Sequence, residues 1–162
     1  MKTIYILRHA KSSWDNPNLA DFERPLNKRG LESAPFIGEI IHKNKFQPDS
    51  VLSSPAKRAK QTAVLVKEAG KIEAEIQFDE RIYEASPQQL LQVISELKTD
   101  SESAMLIGHN PGLEGLIRFL TGENQAMPTA ALAVIDLEIQ NWKETDSECG
   151  NLRTLIRPGE EK

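Results

Sequence analysis

The 162 residues suffice for one domain with a real core, and no Pro-, Gly- or Ser-rich stretch divides them, so the chain reads as a single domain over 1–162. A net charge of −4, with acidic and basic residues interspersed, excludes the basic stripe of a nucleic-acid binder, so any anionic ligand must be met by local positive charge. The single Cys149 cannot form an intrachain disulfide, and the opening apolar run Ile4 to Leu7 stops at Arg8, too short for a signal peptide or a membrane span, so the expected location is cytoplasmic and away from membranes.

Thr3-Ile4-Tyr5-Ile6-Leu7 is short, β-branched and aromatic, the pattern of a buried strand. Asn27 is expected to cap a helix in which Leu26 and Leu31 form a hydrophobic staple and Ala34, Ile37 and Ile41 continue the apolar stripe. Pro35 removes an amide donor, which predicts either a kink there or a fresh start near Ser33. Asp49 to Ser53 reads as a strand, followed by Ser54 as cap, Pro55 at the first helical position, and a helix to about Ala69 closed by Gly70.

Ile72 to Phe78 predicts another strand, and Ser86-Pro87-Gln88-Gln89 a capping box leading into Leu90, Leu91, Ile94 and Leu97. Ala104 to Gly108 is strand-like, with Asn110-Pro111-Gly112 opening a helix that carries Leu113, Leu116, Ile117 and Leu120. Ile135, Leu137 and Ile139 alternate with polar residues as in a strand with one wet face, and Leu152 to Ile156 is its expected partner. Alternation of strand and helix followed by a hairpin predicts a three-layer α/β/α domain whose sheet is mainly parallel with a C-terminal antiparallel hairpin.

Ligands of open α/β sheets bind beyond the carboxyl ends of strands, and three such ends deliver residues suited to an anion. Arg8 and His9 follow the first strand, Arg58 falls in the first turn of the helix after the second, and His109 precedes a helix N-terminus. A guanidinium offers a planar fork to phosphate oxygens, and a neutral imidazole offers a lone pair that can attack phosphorus. Taken singly, each has an ordinary explanation: an ion-pair device for Arg8 and His9, a solvated charge among Lys57 and Lys60 for Arg58, a satisfied buried imidazole for His109. His42, beside Lys43 and Lys45, reads as surface. A metal site of His9, His109 and Asp15 is the rival, but a divalent cation beside two arginines is repelled, whereas a phosphate dianion is stabilised.

Arg8-His9-Ala10 resembles the Arg-His-Gly signature of the histidine phosphatase superfamily, the phosphoglycerate-mutase-like fold, with Ala10 in place of the glycine. Ser54-x-x-x-Arg58-Ala59-x-Gln61-Thr62 resembles the segment of its second phosphate-binding arginine, and Gly108-His109-Asn110 that of its second histidine. Together with Asp21-x-x-Arg24-Pro25-Leu26 and Gly108-His109-Asn110-Pro111-Gly112, the chain is most similar to the SixA-like phosphohistidine phosphatases. Where the wider family often carries Asn, this chain has Asp15, which would repel phosphate unless paired, with Lys11 the candidate partner.

The resemblance implies a phosphatase without metal or other cofactor. His9 is expected as nucleophile, Arg8, Arg58 and His109 as the phosphate clamp, and Asn110 as a further substrate contact. Asp79-Glu80-Arg81-Ile82-Tyr83 resembles the mutase segment bearing the acid/base glutamate, which aligns on Glu80 with Glu84 nearby. The implied substrate is a phosphohistidine on a protein. A small phosphoester is the alternative, and a non-catalytic phosphate- or partner-binding module the reading outside enzymology.

Overall fold

The computed structural model describes residues 1–161. Six strands form one sheet: β1 (Lys2–Arg8), β2 (Ser50–Ser53), β3 (Ile76–Phe78), β4 (Ser103–Gly108), β5 (Leu132–Leu137) and β6 (Gly150–Ile156), in the order β3-β2-β4-β1-β5-β6. β3, β2, β4 and β1 run parallel, β5 is antiparallel to β1, and β6 is antiparallel to β5, as expected of a mainly parallel sheet ending in a hairpin. Among the described residues five α-helices accompany the sheet: α1 (Lys28–Lys43), α2 (Lys57–Gly70), α3 (Pro87–Ser95), α4 (Gly112–Thr121) and the short α5 (Pro158–Glu161). No helix among the described residues is long and apolar enough to cross a membrane.

Strand alternation builds the three layers. Ile4 and Ile6 of β1, Ala104 and Leu106 of β4, and Ala133 and Ile135 of β5 pack with Leu90, Ile94, Leu116 and Ile117 of α3 and α4. Tyr5, Leu7, Met105, Ile107, Leu132 and Val134 point the other way, onto Ala34, Ile37, Ala63 and Val66 of α1 and α2. From Ile135 on the expected alternation holds, with Ile135, Leu137 and Ile139 buried, Asp136 half-buried and Glu138 and Gln140 exposed, but β5 begins earlier, at Leu132, pairs on both edges and buries Leu132, Ala133, Val134 and Ile135 in succession.

Local chemistry explains the helix ends and the departures from the expected ones. Asn27 caps α1 through the Gly30 amide, but Leu31 is 49% exposed and makes no staple, because the buried stripe passes through Gly30, Ser33, Ala34 and Ile37 and leaves it to one side. Pro35 neither divides α1 nor restarts it: the helix runs through it, at the loss of one i→i−4 bond. The α2 cap is Ala56, two residues beyond the expected Ser54, whose hydroxyl is engaged elsewhere, and the left-handed residue closing α2 is Lys71 (φ 52°) rather than Gly70. Pro111, not Asn110, occupies the α4 cap position, though Asn110 Oδ1 still accepts the Glu114 amide at 3.3 Å. The capping box at Ser86 forms as expected, and the strand expected over Ile72 to Phe78 is confined to Ile76–Phe78.

Candidate active site

β2, β4 and β1 are neighbours and parallel, so their carboxyl ends open on one edge of the sheet. Arg8 pairs with Gly108, and the His9 amide donates to the Gly108 carbonyl at 3.1 Å, so the two histidines emerge side by side with ring centroids 5.0 Å apart. The Ser54 amide donates to the Ile107 carbonyl at 3.0 Å, aligning the entry to α2, and Arg58 follows from the first turn of that helix. Residues as far apart in the sequence as Arg8 and His109 thus meet because three short strands end together.

A cavity of about 260 Å³ is lined by Arg8, His9, Lys11, Ser12, Trp14, Asp21, Arg58, His109, Asn110 and Thr129. Volume alone does not single it out, since a depression of about 510 Å³ beside α4, lined by Pro87, Gly115, Arg118 and Glu148 among others, is larger but lacks a histidine or cysteine. The cavity at the strand ends is distinguished by its chemistry.

His9 Nδ1 lies 2.8 Å from the Ala10 carbonyl oxygen, an acceptor only, so Nδ1 carries the proton and Nε2 keeps its lone pair. Arg58 Nε donates to that Nε2 at 3.4 Å. Burial, followed by the positive fields of Arg58 and Arg8, holds the His9 pKa down to about 4, so the imidazole is neutral at pH 7. His109 is held still lower, to about 3, by burial, His9 and Arg58. Its Nε2 sits 2.7 Å from Ser54 Oγ, and its Nδ1 is buried without a hydrogen-bond partner.

Arg58 is fixed by Asp21, whose backbone carbonyl accepts from NH1 at 2.8 Å and whose carboxylate accepts from NH2 at 3.0 Å. The Tyr83 hydroxyl donates to the same carboxylate at 2.6 Å and, with Arg58, keeps Asp21 below the usual carboxylate range. Tyr83 itself is raised by burial and by Asp21, so it stays a donor, and its ring stands edge-on to His109 at 5.5 Å. Arg8 donates through NH1 to the Met127 carbonyl, while its Nε is buried without a partner. Burial lowers the Arg8 pKa, and Glu114 opposes the shift.

The expected residues Arg8, His9, Arg58, His109 and Asn110 therefore share one cavity. Asn110 holds its wall in place: Nδ2 donates to Glu114 Oε2 and to the Met127 carbonyl, both at 2.9 Å, which engages both amide protons. Glu80 and Glu84 are exposed around the turn that buries Ile82, and neither is among the lining residues. The carboxylate in the cavity is Asp21. Asp15 is likewise exposed, and no group of three or more His, Cys, Asp or Glu among the described residues is placed to hold a metal ion.

Sequence reasoning gives Asp21 and Tyr83 no role at the site and reads Ser54 only as a helix cap. Asp21 carried a signal, its place three residues before Arg24, but its partner Arg58 is 37 residues away. Thr62 and Gln61, quoted only as part of a pattern, prove to be struts: Thr62 Oγ1 accepts the Ala10 amide and donates to the Arg58 carbonyl, and Gln61 Oε1 accepts the Leu26 amide.

The chain is 30% identical over 170 residues to an uncharacterised chloroplast protein of Arabidopsis thaliana, covering 97% of this chain and 78% of that one. An uncharacterised Mycobacterium tuberculosis protein is 29% identical, with 90% and 96% covered. Among solved structures, one from Agrobacterium tumefaciens assigned as the phosphohistidine phosphatase SixA superimposes with a TM-score of 0.84 at 30% identity, covering 97% of this chain and 98% of that one. The protein histidine phosphatase SixA complexed with tungstate shares the fold with a TM-score of 0.86, at 21% identity and 99% of both chains. The sequence profile of the histidine phosphatase superfamily (branch 1) matches residues 4–106, a stretch holding Arg8, His9 and Arg58. With more than half its length so matched, the chain belongs to the histidine phosphatase superfamily and is a phosphatase of that family.

Proposed function

We propose that the protein removes the phosphoryl group from phosphohistidine on a protein through a covalent intermediate on His9, without a metal ion. The observation that carries the reading is the state of His9: its proton is held on Nδ1 by the Ala10 carbonyl and its pKa is held down to about 4, leaving a neutral Nε2 nucleophile inside a cavity with two guanidiniums. The name of the 30%-identical neighbour supports the choice of substrate.

Nε2 attacks phosphorus in line, and a P–N bond forms as the P–N bond to the substrate imidazole breaks. The substrate ring is protonated beforehand on its other nitrogen, at little cost for an imidazolium with an ordinary pKa of about 6.5, so the leaving nitrogen keeps the electron pair of the broken bond, the ring departs as neutral imidazole, and no carboxylic acid is required. This suits a cavity whose carboxylate, Asp21, is held ionised. Arg8, Arg58 and His109 stabilise the equatorial oxygens, with the buried Arg8 Nε and His109 Nδ1 the donors still without partners. Ser54 serves by donating its hydroxyl to His109 Nε2, which leaves the proton on Nδ1. Water then attacks the phosphorylated His9, the enzyme P–N bond breaks, and inorganic phosphate and neutral His9 return.

Brief reaction with a 32P-phosphohistidine carrier protein, followed by alkaline quenching, should leave acid-labile label on His9 and none in the His9→Ala variant. Label on Ser12, Ser13 or Cys149 refutes the nucleophile. A wild-type preference for alkyl phosphates over the carrier protein replaces the substrate with a small ester.

A further inference from the structure

Trp14 is 65% exposed, whereas the other tryptophan, Trp142, is fully buried. The indole is nevertheless held in place. Its segment is pinned by the Ser12–Leu26 bridge and by the Ser13 amide donating to the Pro25 carbonyl at 2.7 Å. The Arg24 guanidinium carbon lies 3.9 Å from the ring centroid, a stacking contact, and Arg24 is only 7% exposed with NH1 on the Asn16 carbonyl. A buried arginine thus holds an exposed indole, and that indole lines the same cavity as His9.

In-line attack fixes where a leaving group must go. His9 is 6% exposed and lies at the cavity floor, so the group opposite Nε2 points out through the mouth, where the exposed wall residues are Lys11, Trp14 and Asp21. Of these, only the indole offers a flat, polarisable face, and it gains most from a flat partner. We propose that Trp14 is the platform on which a planar leaving group, the imidazole ring of phosphohistidine, stacks during transfer to His9, and that Arg24 is the positioning residue that holds it there. This rests on the phosphohistidine reading above and adds to it a residue that selects the ring.

Two P–N compounds separate the ring from the bond: N-phosphoimidazole, which carries one, and phosphoramidate, which does not. Trp14→Ala should lower kcat/KM for phosphoimidazole by about two- to tenfold, the range of an aromatic pair, and leave phosphoramidate unchanged, while Trp14→Phe restores most of the loss. Arg24→Gln should reproduce the loss in KM rather than kcat, and Arg24→Lys, which keeps a cation over the ring, should recover part of it. Equal losses on both compounds, or none, overturn the platform.

Binding supplies a readout independent of turnover. Phenylphosphonate should bind more tightly than methylphosphonate and alter the indole emission, and both effects should vanish in Trp14→Ala. If the wild type cleaves neither P–N compound but that preference holds, the phosphohistidine reading falls and the platform stands. If both are cleaved with no dependence on Trp14, the platform alone falls.

Discussion

Acidification from pH 7 to pH 5 should destabilise this fold, and two residues should account for most of the effect. His9 and His109 are buried neutral, with values held down to about 4 and about 3 against an ordinary 6.5. Below 6.5 the unfolded chain therefore binds more protons than the fold, and stability is lost as pH falls from the unfolded value towards the folded ones. At pH 5 both imidazoles are still neutral in the fold and almost fully protonated in the unfolded chain, so each contributes about 2 kcal/mol of loss. Together that is about 4 kcal/mol, a large part of a typical domain's 5–15 kcal/mol, roughly speaking.

The depressed carboxylates Asp21, Asp79 and Asp136 do not compete in this window, because their ordinary value of 3.8 leaves them ionised in both states above pH 5. Urea unfolding in phosphate-free buffer at pH 7, 6 and 5 measures the slope. Replacement of either histidine by Asn should remove about half of it, and the double variant nearly all. A midpoint that is flat between pH 7 and 5, or a slope that persists in the double variant, would refute the argument.

Arg58→Ala should reduce kcat by about 10²- to 10³-fold, the scale of losing one preorganised donor, and should raise the acid limb of kcat/KM, since Arg58 is among the groups that hold His9 down. An unmoved limb would show that Arg58 does not help to set that value. Activity should survive EDTA, and tungstate should inhibit competitively; loss on chelation with recovery on adding a divalent ion would contradict the metal-free mechanism. Leu116→Ala, at a fully buried position facing β1 and β4, should cost about 2–5 kcal/mol in urea unfolding while leaving KM of the folded fraction unchanged.

What could be read from the sequence was what short-range chemistry encodes. The capping box at Ser86 involves groups within four residues of one another, and the strand leading to Arg8 is a run of adjacent apolar side chains. The strand-end rule brings Arg8, His9, Arg58 and His109 to one cavity because neighbouring parallel strands must open on one edge. Partners distant in the chain were not legible. Ser54 looked like a helix cap because Ser-Pro is a good local start, but His109, 55 residues on, takes the hydroxyl and the helix begins later. Glu80 was reached by alignment along the chain, whereas Asp21 reaches the cavity through Arg58 and Tyr83, contacts no local pattern records.

The cost of the buried imidazoles and the proposed chemistry have the same origin. Two guanidiniums attract a phosphate dianion, and their fields, with burial, suppress the charge on His9 and His109 that would otherwise remove the nucleophile's lone pair. Asp21 limits the effect, since its carboxylate raises both imidazoles slightly while orienting Arg58. An incoming dianion adds negative charge beside both rings and shifts each upward. In the proposed reaction the shift strengthens His109 as a donor to the phosphate, and for His9 it would come as Nε2 bonds to phosphorus and the ring turns cationic, when the Ala10 carbonyl, 2.8 Å from Nδ1, steadies that charge. A bound phosphate thus supplies a negative field to both imidazoles, which stay neutral until it does.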